Sequence, residues 1–263
     1  MSFAARYGPW ALVAGASDGI GASFAAALAS RGVNLVLVAR RASALDDLAA
    51  SLTRAHGVSA QTVVADLGTP SGLDTALSTG EEVGLVVCNA ALAPVESYLD
   101  LSPDQVDTMV ALNVRAAARL AHAYGRPMVD RGRGGVILLS SMGSFQGSAL
   151  IAHYAATKAY LRVLAEGLWY EWRPHGVDVL ACCPGLVATP TYQRGSPTPG
   201  RLVPPPLHPD VVARQALAAL GRRPVMVPGL RSSITAVVAG LLPRRVAIAL
   251  SSRQTAAMYG RSG

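Results

Sequence analysis

Two side chains of the sequence are spaced to share a proton. Tyr154 and Lys158 lie four residues apart at the start of an Ala/Leu-rich stretch that reads as helix, so they stack on one helix face. An ammonium beside a phenol favours the phenolate. The pair therefore predicts a tyrosine drawn down from about 10 towards the working range of a general acid or base. Lys158 is also the only lysine among 23 basic residues, the others being arginine. A compact charge with three donors fits beneath a small ligand where a planar guanidinium does not.

Two further features suit a nucleotide. Gly15-Ala16-Ser17-Asp18-Gly19-Ile20-Gly21 falls between a short apolar run and a helical stretch. Glycines let the chain turn sharply and approach a pyrophosphate, and the N-terminus of the following helix offers free N–H groups to the anion. The second apolar run ends Val38-Ala39-Arg40-Arg41. An acid there would bind a ribose 2′-hydroxyl, whereas two guanidiniums suit a 2′-phosphate, so the expected cofactor is NADP(H) rather than NAD(H). Asp66, closing the third run, is placed to accept from an adenine amino group.

These residues need a scaffold, and the apolar pattern supplies one. Trp10–Ala14, Val33–Ala39, Thr62–Ala65, Val83–Cys88, Val136–Leu139 and Val177–Cys182 are continuous apolar runs, as strands buried on both faces should be. Helical stretches over 20–31, 43–55, 103–130 and 153–173 alternate with them, the last stopping at Arg173-Pro174-His175-Gly176. The alternation predicts a single α/β domain, a Rossmann-type doubly wound parallel sheet with helices on both faces. A Pro/Gly-rich loop from Thr189 to Pro209, a helix over 211–220 and a seventh strand at Val225–Val227 follow. The expected division is 1–228 for the nucleotide-binding and catalytic body. Residues 229–263 form an apolar, basic extension that belongs to the same domain or acts as a lid or interface.

Composition narrows the function. At 51% apolar and 15% charged, the 263 residues can fill one large core. The net charge of +7 is uneven: residues 1–210 carry 15 bases against 16 acids, while 211–263 carry eight arginines and no acid. That argues against nucleic acid as a partner and for one local anionic contact. Cys88, Cys182 and Cys183 read as buried thiols of a reducing compartment. With no signal-like N-terminus and no apolar run of the roughly 18 residues a span needs, a cytoplasmic protein is expected. His122, His175 and His208 lack ligand spacing, so no metal is expected.

The chain resembles the short-chain dehydrogenase/reductase family. The resemblance rests on the Gly15–Gly21 loop, Asp66-Leu67, Cys88-Asn89-Ala90, Asn113, Ser141, Tyr154-x-x-x-Lys158 and Pro184-Gly185-Leu186-Val187-Ala188-Thr189 in the family's order, from about residue 8 to 220. The opening from Tyr7 to Gly21 is most similar to the branch of hydroxysteroid dehydrogenases and microsomal 3-oxoacyl-CoA reductases. The resemblance implies that Tyr154 is the general acid/base and that Lys158 lowers its pKa and holds the nicotinamide ribose. It also implies that Ser141 donates to the substrate oxygen and that Asn113 holds a relay water near Lys158. Ser17, Asp18, Gly19 and Ile20 would meet the pyrophosphate, Asn89 and Ala90 the adenosine side. Pro184, Gly185, the Val187 backbone and Thr189 would hold the nicotinamide. Ala14 and Ala91 depart from the family's usual Thr and Gly, which would loosen the cofactor's seat.

The expected substrate is a small hydrophobic ketone or secondary alcohol, steroid-like or 3-oxoacyl-like. It would be selected by Ala91–Ser97, Gly143–Ala152 and the 189–209 loop, with Leu92, Phe145, Leu150, Ile151, Tyr192, Leu202 and Val203 as the apolar contacts. His153 reads as a wall residue. The extension, with Pro243 between two helical pieces, packs over the pocket or a subunit interface, touches a membrane surface peripherally, or meets substrate phosphates. A homodimer or homotetramer is expected. The alternatives are a cofactor-binding regulator without turnover and an NAD(P)-dependent epimerase.

Overall fold

The structure, a computed structural model, describes residues 2–194, 198 and 203–260. Its strands are β1 (Trp10–Ala14), β2 (Asn34–Ala39), β3 (Ala60–Val64), β4 (Val83–Cys88), β5 (Gly134–Leu139), β6 (Val177–Cys182) and β7 (Val225–Met226). Every pairing is parallel and the order is β3-β2-β1-β4-β5-β6-β7. The expected doubly wound sheet is present, with each strand within two residues of its predicted limits.

The helices are α1 (Phe3–Tyr7), α2 (Gly19–Ala29), α3 (Ala42–His56), α4 (Pro70–Leu77), α5 (Pro103–Val110), α6 (Ala117–Asp130), α7 (Ala152–Trp172), α8 (Pro190–Arg194), α9 (Pro209–Ala219), α10 (Leu230–Leu241) and α11 (Arg244–Met258). Successive strand residues point to opposite faces. In β1, Ala11 and Val13 enter the core layer of α2, α3 and α9, while Leu12 and Ala14 enter that of α4, α6 and α7. Each fully buried leucine contributes on the order of 1.5–3 kcal/mol, so continuous apolar strands are what a sheet covered on both faces requires.

The helix stops obey local chemistry. Gly57 ends α3 in the left-handed region, and a single turn at Arg173–His175 followed by Gly176 ends α7 as the sequence predicts. Helix α4 was not expected. Its apolar content is modest, and the sign of its start is Thr69, whose side chain accepts from the Gly72 N–H, with Pro70 in the first turn.

The stretch over 103–130 differs from one regular helix. Residues Ala111–Ala116 form a π turn between α5 and α6, centred on a buried Asn113. One extra residue in the turn re-aims the side chains that follow it, and such turns recur at functional sites.

The sheet positions a ligand by topology. The chain winds outward from β1 through β2 to β3, then crosses back to β4 on the other side of β1. Helices leave on opposite faces at that reversal, opening a crevice at the carboxyl ends of β1 and β4. Helices α10 and α11 close over one side of it. Helix α10 buries only Ser232, and its Leu230, Ile234, Val237, Val238 and Leu241 are each more than half exposed along one face. Among the described residues no helix is long and apolar enough to cross a membrane.

Candidate active site

A cavity of about 1320 Å³ runs along the carboxyl edge of the sheet, from the glycine loop to the first turns of α7. Its adenosine-side end is built by β1 to β3. Gly15 and Gly19 have φ of +80° and +54°. A Cβ on Gly15 would meet the Ala90 backbone at 2.8 Å, and one on Gly21 would meet the Gly15 oxygen at 2.0 Å. Only glycine allows this packing of loop against β4. Asn89 braces the same loop, its Nδ2 donating to the Gly15 oxygen at 2.9 Å. That bond supplies the tie between loop and strand that a hydroxyl at Ala14 would have given. It uses one of the two amide hydrogens of the residue expected to meet the adenosine ribose.

Helix α2 begins at Asp18 without a side-chain cap, so its first N–H groups stay available to an anion. Arg41 bonds across the mouth to Ser17 Oγ at 2.9 Å and to the Asp18 carboxylate. Arg40 lies 3.9 Å from Asp66, whose other oxygen accepts from the Gly68 N–H at 2.9 Å. Leu67 is buried, and it lines the cavity beside Asp66. An uncapped helix start, a serine hydroxyl and two exposed guanidiniums at the end of β2 fit a pyrophosphate and a 2′-phosphate. The residues present thus suit a dinucleotide.

The chemical end is built by β5 and α7. Ser141 leaves β5 in extended conformation, and its Oγ accepts from the Gly143 N–H at 3.1 Å. Tyr154 and Lys158 fall on successive turns of α7, with the Lys158 nitrogen 5.7 Å from the centre of the tyrosine ring. Lys158 is buried, and its Nζ donates to the Leu139 oxygen at 2.7 Å. Ser140 Oγ in turn donates to the Lys158 carbonyl at 2.7 Å, pinning α7 to the strand end.

The electrostatics of this pair differ from the simple expectation. Burial raises the Tyr154 phenol above its ordinary value, and a hydrogen bond with Ser141 opposes the rise. Burial pushes Lys158 down to about 8. In the protein by itself desolvation is the dominant cause at both groups, disfavouring the phenolate and the ammonium alike. The lysine still has donors free for a ligand, having spent one on Leu139.

Asn113 is placed differently from the sequence reading. Its side chain is buried, Oδ1 accepting from the Leu92 N–H at 2.8 Å and Nδ2 donating to the Leu92 oxygen at 2.9 Å and to Thr157 Oγ1 at 3.1 Å. Both amide hydrogens are spent, so the side chain is a clamp rather than a holder of water. Thr157 passes the link on, donating to the Tyr154 carbonyl at 2.7 Å. Sequence reasoning overlooked Thr157. Its signal is a hydroxyl three residues after Tyr154, on the same face of the helix.

Beyond β6, Pro184 accepts from the Met142 N–H at 2.9 Å, and Gly185 leaves room for Met142 and Ser232. Val187 bridges to Leu207, and the Thr189 hydroxyl accepts from the Tyr192 N–H at 3.2 Å while its methyl packs on Gly19. Of the expected apolar contacts, Phe145, Ile151, Tyr192 and Val203 line the cavity. Leu92 and Leu150 are not among the lining residues, and Leu202 falls outside the described residues. His153 bonds the Val106 carbonyl at 3.1 Å and packs on Tyr98, and it is not among the residues lining the cavity, in contrast to the wall position expected of it. The three cysteines are free and buried. Helices α10 and α11 form a further wall, and the loop over 145–149 is held to α11 through Ser148–Thr255 at 3.0 Å and Ala149–Ser252 at 3.0 Å.

A parallel sheet reversing at β1/β4, a glycine loop at one end of its crevice and a Ser-Tyr-Lys set at the other define a nucleotide-dependent oxidoreductase. The family model "short chain dehydrogenase" matches residues 9–199. The chain belongs to the short-chain dehydrogenase/reductase family, NAD(P)-dependent oxidoreductases acting on CH–OH groups, in its hydroxysteroid dehydrogenase branch. It is 29% identical over 225 residues to a 7β-hydroxysteroid dehydrogenase of Clostridium sardiniense, covering 85% of this chain and 86% of that one. A solved structure of a 7β-hydroxysteroid dehydrogenase superimposes with a TM-score of 0.88 at 27% identity, over 95% of this chain and 99% of the other. A short-chain dehydrogenase from Sphingobium yanoikuyae in complex with NADPH gives 0.77 at 31% identity, over 89% and 94%.

Proposed function

We propose that the protein transfers hydride between NADP(H) and a hydrophobic ketone or secondary alcohol, steroid-like or 3-oxoacyl-like. One observation carries the reading: Ser141, Tyr154 and Lys158 border the same cavity as the glycine loop and the Arg40-Arg41 pair. When bound, the nicotinamide supplies or accepts the hydride. The chain's own residues do the rest. Tyr154 gives its phenolic proton to the substrate oxygen in reduction and recovers it in oxidation. Ser141 hydrogen-bonds the same oxygen and steadies developing negative charge. Lys158 spends its free donors on the nicotinamide ribose, and its charge then favours the phenolate. Asn113, through Thr157 and Leu92, holds the turn of α7 and the loop after β4 in register.

Gly15, Ser17, Asp18, Gly19, Ile20 and Gly21 receive the pyrophosphate, while Asp66, Leu67, Asn89 and Ala90 form the adenosine side. Pro184, Gly185, Val187 and Thr189 border the nicotinamide. The preference for NADP(H) rests on Arg40, Arg41 and the Ser17 hydroxyl, and the NADPH-bound Sphingobium protein supports it. Residues 229–263 act as a lid on the same domain. The reduced, buried thiols suit a cytoplasmic location.

The test is a panel of ketones and alcohols with NADPH and NADH, run beside Tyr154→Phe. The variant is expected to keep NADPH binding and lose about 10²–10⁴ in kcat. Equal inertness of both proteins on every substrate, with NADPH still bound, would transfer the reading to a regulator without turnover. Arg41→Ala is expected to raise the KM for NADPH by about 10- to 100-fold, the worth of a charged hydrogen bond, and to leave that for NADH nearly unchanged. An equal effect on the two cofactors would remove the 2′-phosphate assignment.

A further inference from the structure

The charge lining the cavity is divided unevenly between its ends. At the adenosine side stand two guanidiniums and two carboxylates, Arg40 and Arg41 with Asp18 and Asp66. Among the described residues no other Asp or Glu lines the cavity, although Arg194 and Arg253 do. Arg194 closes α8, where its guanidinium donates to the Thr191 hydroxyl at 3.1 Å. Arg253 comes from α11. Its neighbours Ser252 and Thr255 are bonded to Ala149 and Ser148, in the loop between Ser141 and Tyr154. Arg253 is thus at the substrate end.

The inner face of α11 repeats with helical spacing. Ala247, Leu250, Ser251, Gln254, Thr255, Ala257 and Met258 line the cavity, an apolar surface interrupted by three uncharged polar groups, with Arg253 at its edge. Among the described residues Arg253 forms no ion pair. The chain from 211 onward contains no acid that could neutralise it. An uncompensated cation at the rim of an apolar cavity concentrates anions there.

Resting on the reading of the cavity as a ketone site, we propose that Arg253, with Gln254 beside it, forms a subsite for an anionic terminus of the substrate. The substrate is then an amphiphile: an apolar body, a carbonyl or hydroxyl that reaches Ser141 and Tyr154, and a distant carboxylate or phosphate. The apolar wall accepts the body, and the guanidinium sets which end enters last. Arg253 is a specificity residue, separate from the group that moves the proton.

The experiment compares one oxo acid in three forms: the free carboxylate, its methyl ester and its coenzyme A thioester. Binding to the NADPH-loaded protein is measured by calorimetry and turnover by NADPH oxidation, for wild type, Arg253→Gln, Arg253→Glu and Arg245→Gln. Arg245 lies on the same helix and does not line the cavity. In wild type an anionic form is expected to bind about tenfold more tightly than the ester, the range for a charged contact at a partly exposed rim. Preference for the acid or for the thioester then tells whether carboxylate or phosphate is the anion. Arg253→Gln is expected to erase most of that ratio through KM rather than kcat, and Arg253→Glu to invert it. Arg245→Gln is expected to keep it. Equal affinity of wild type for ester and anionic forms, or the same loss in Arg245→Gln as in Arg253→Gln, would overturn the subsite. Failure of all three compounds to turn over, with the binding ratio intact, would count against the oxidoreductase reading and leave the subsite standing.

Discussion

At the scale of single residues, Lys158 illustrates how burial and function compete. Its value of about 8 lies below the ordinary 10.5 because desolvation penalises the ammonium. Between those two values the unfolded chain binds the proton more tightly, so this group makes stability rise with pH. The thiols act in the opposite sense. Cys88 is pushed up to about 12, and Cys182 and Cys183 are also raised by burial, so the unfolded thiols ionise first and stability falls above their ordinary range. Comparing wild type with Lys158→Met cancels the thiols. Relative to the variant, the wild type is expected to gain stability from about pH 8 to 10.5 in urea unfolding. A constant difference in midpoint across that window would contradict a desolvated lysine. In the proposed reaction, the Lys158 ammonium held against a bound cofactor's ribose would favour the Tyr154 phenolate and offset part of the rise that burial imposes on it.

At the scale of elements, the π turn between α5 and α6 carries the clearest expectation. It turns Asn113 inward to saturate the Leu92 backbone and reach Thr157 on α7. Three elements meet at one amide. Asn113→Ala strands a backbone N–H and C=O, and each such loss costs on the order of 1–3 kcal/mol. Loss of about 2–3 kcal/mol in denaturant unfolding is expected. Asn113→Asp should not rescue it, since an ionised carboxylate cannot donate to Leu92 or Thr157. A neutral effect on stability would make the amide a water holder after all. The Tyr-Lys spacing could be read locally because it depends only on one helical turn. The clamp could not, because Leu92 lies 21 residues from Asn113 and the π turn that aims the amide at it is not announced by the residues that form it.

At the scale of the whole molecule, the extension decides what the cavity can hold. Truncation after Pro228 removes the wall made by α10 and α11 and is expected to abolish most substrate turnover while NADPH binding, which uses the other end, persists. Retention of full turnover would detach the extension from catalysis. The face of α10 displaying Leu230, Val237 and Leu241 is apolar and exposed, a surface that association with a second copy would cover. Light scattering is expected to find a homo-oligomer that Leu241→Arg dissociates. A monomer that instead floats with anionic vesicles would assign the same face to peripheral membrane contact.

Local pattern determined the sheet, its parallel sense and which groups are candidates to react. Strands buried on both faces must read as unbroken apolar runs, a phosphate-binding turn must be glycine-rich, and a phenol and an ammonium four residues apart must share a helix face. Tertiary structure decided what depends on residues far apart in the chain. It set the direction in which Tyr154 and Lys158 are shifted, because desolvation depends on how completely other elements surround them. It turned Asn113 into a clamp through a loop 21 residues away. It also brought Arg253 from residue 253 of the chain to the cavity lined by Ser141 and Tyr154, since a charge can join a site only when the fold brings it to the cavity wall.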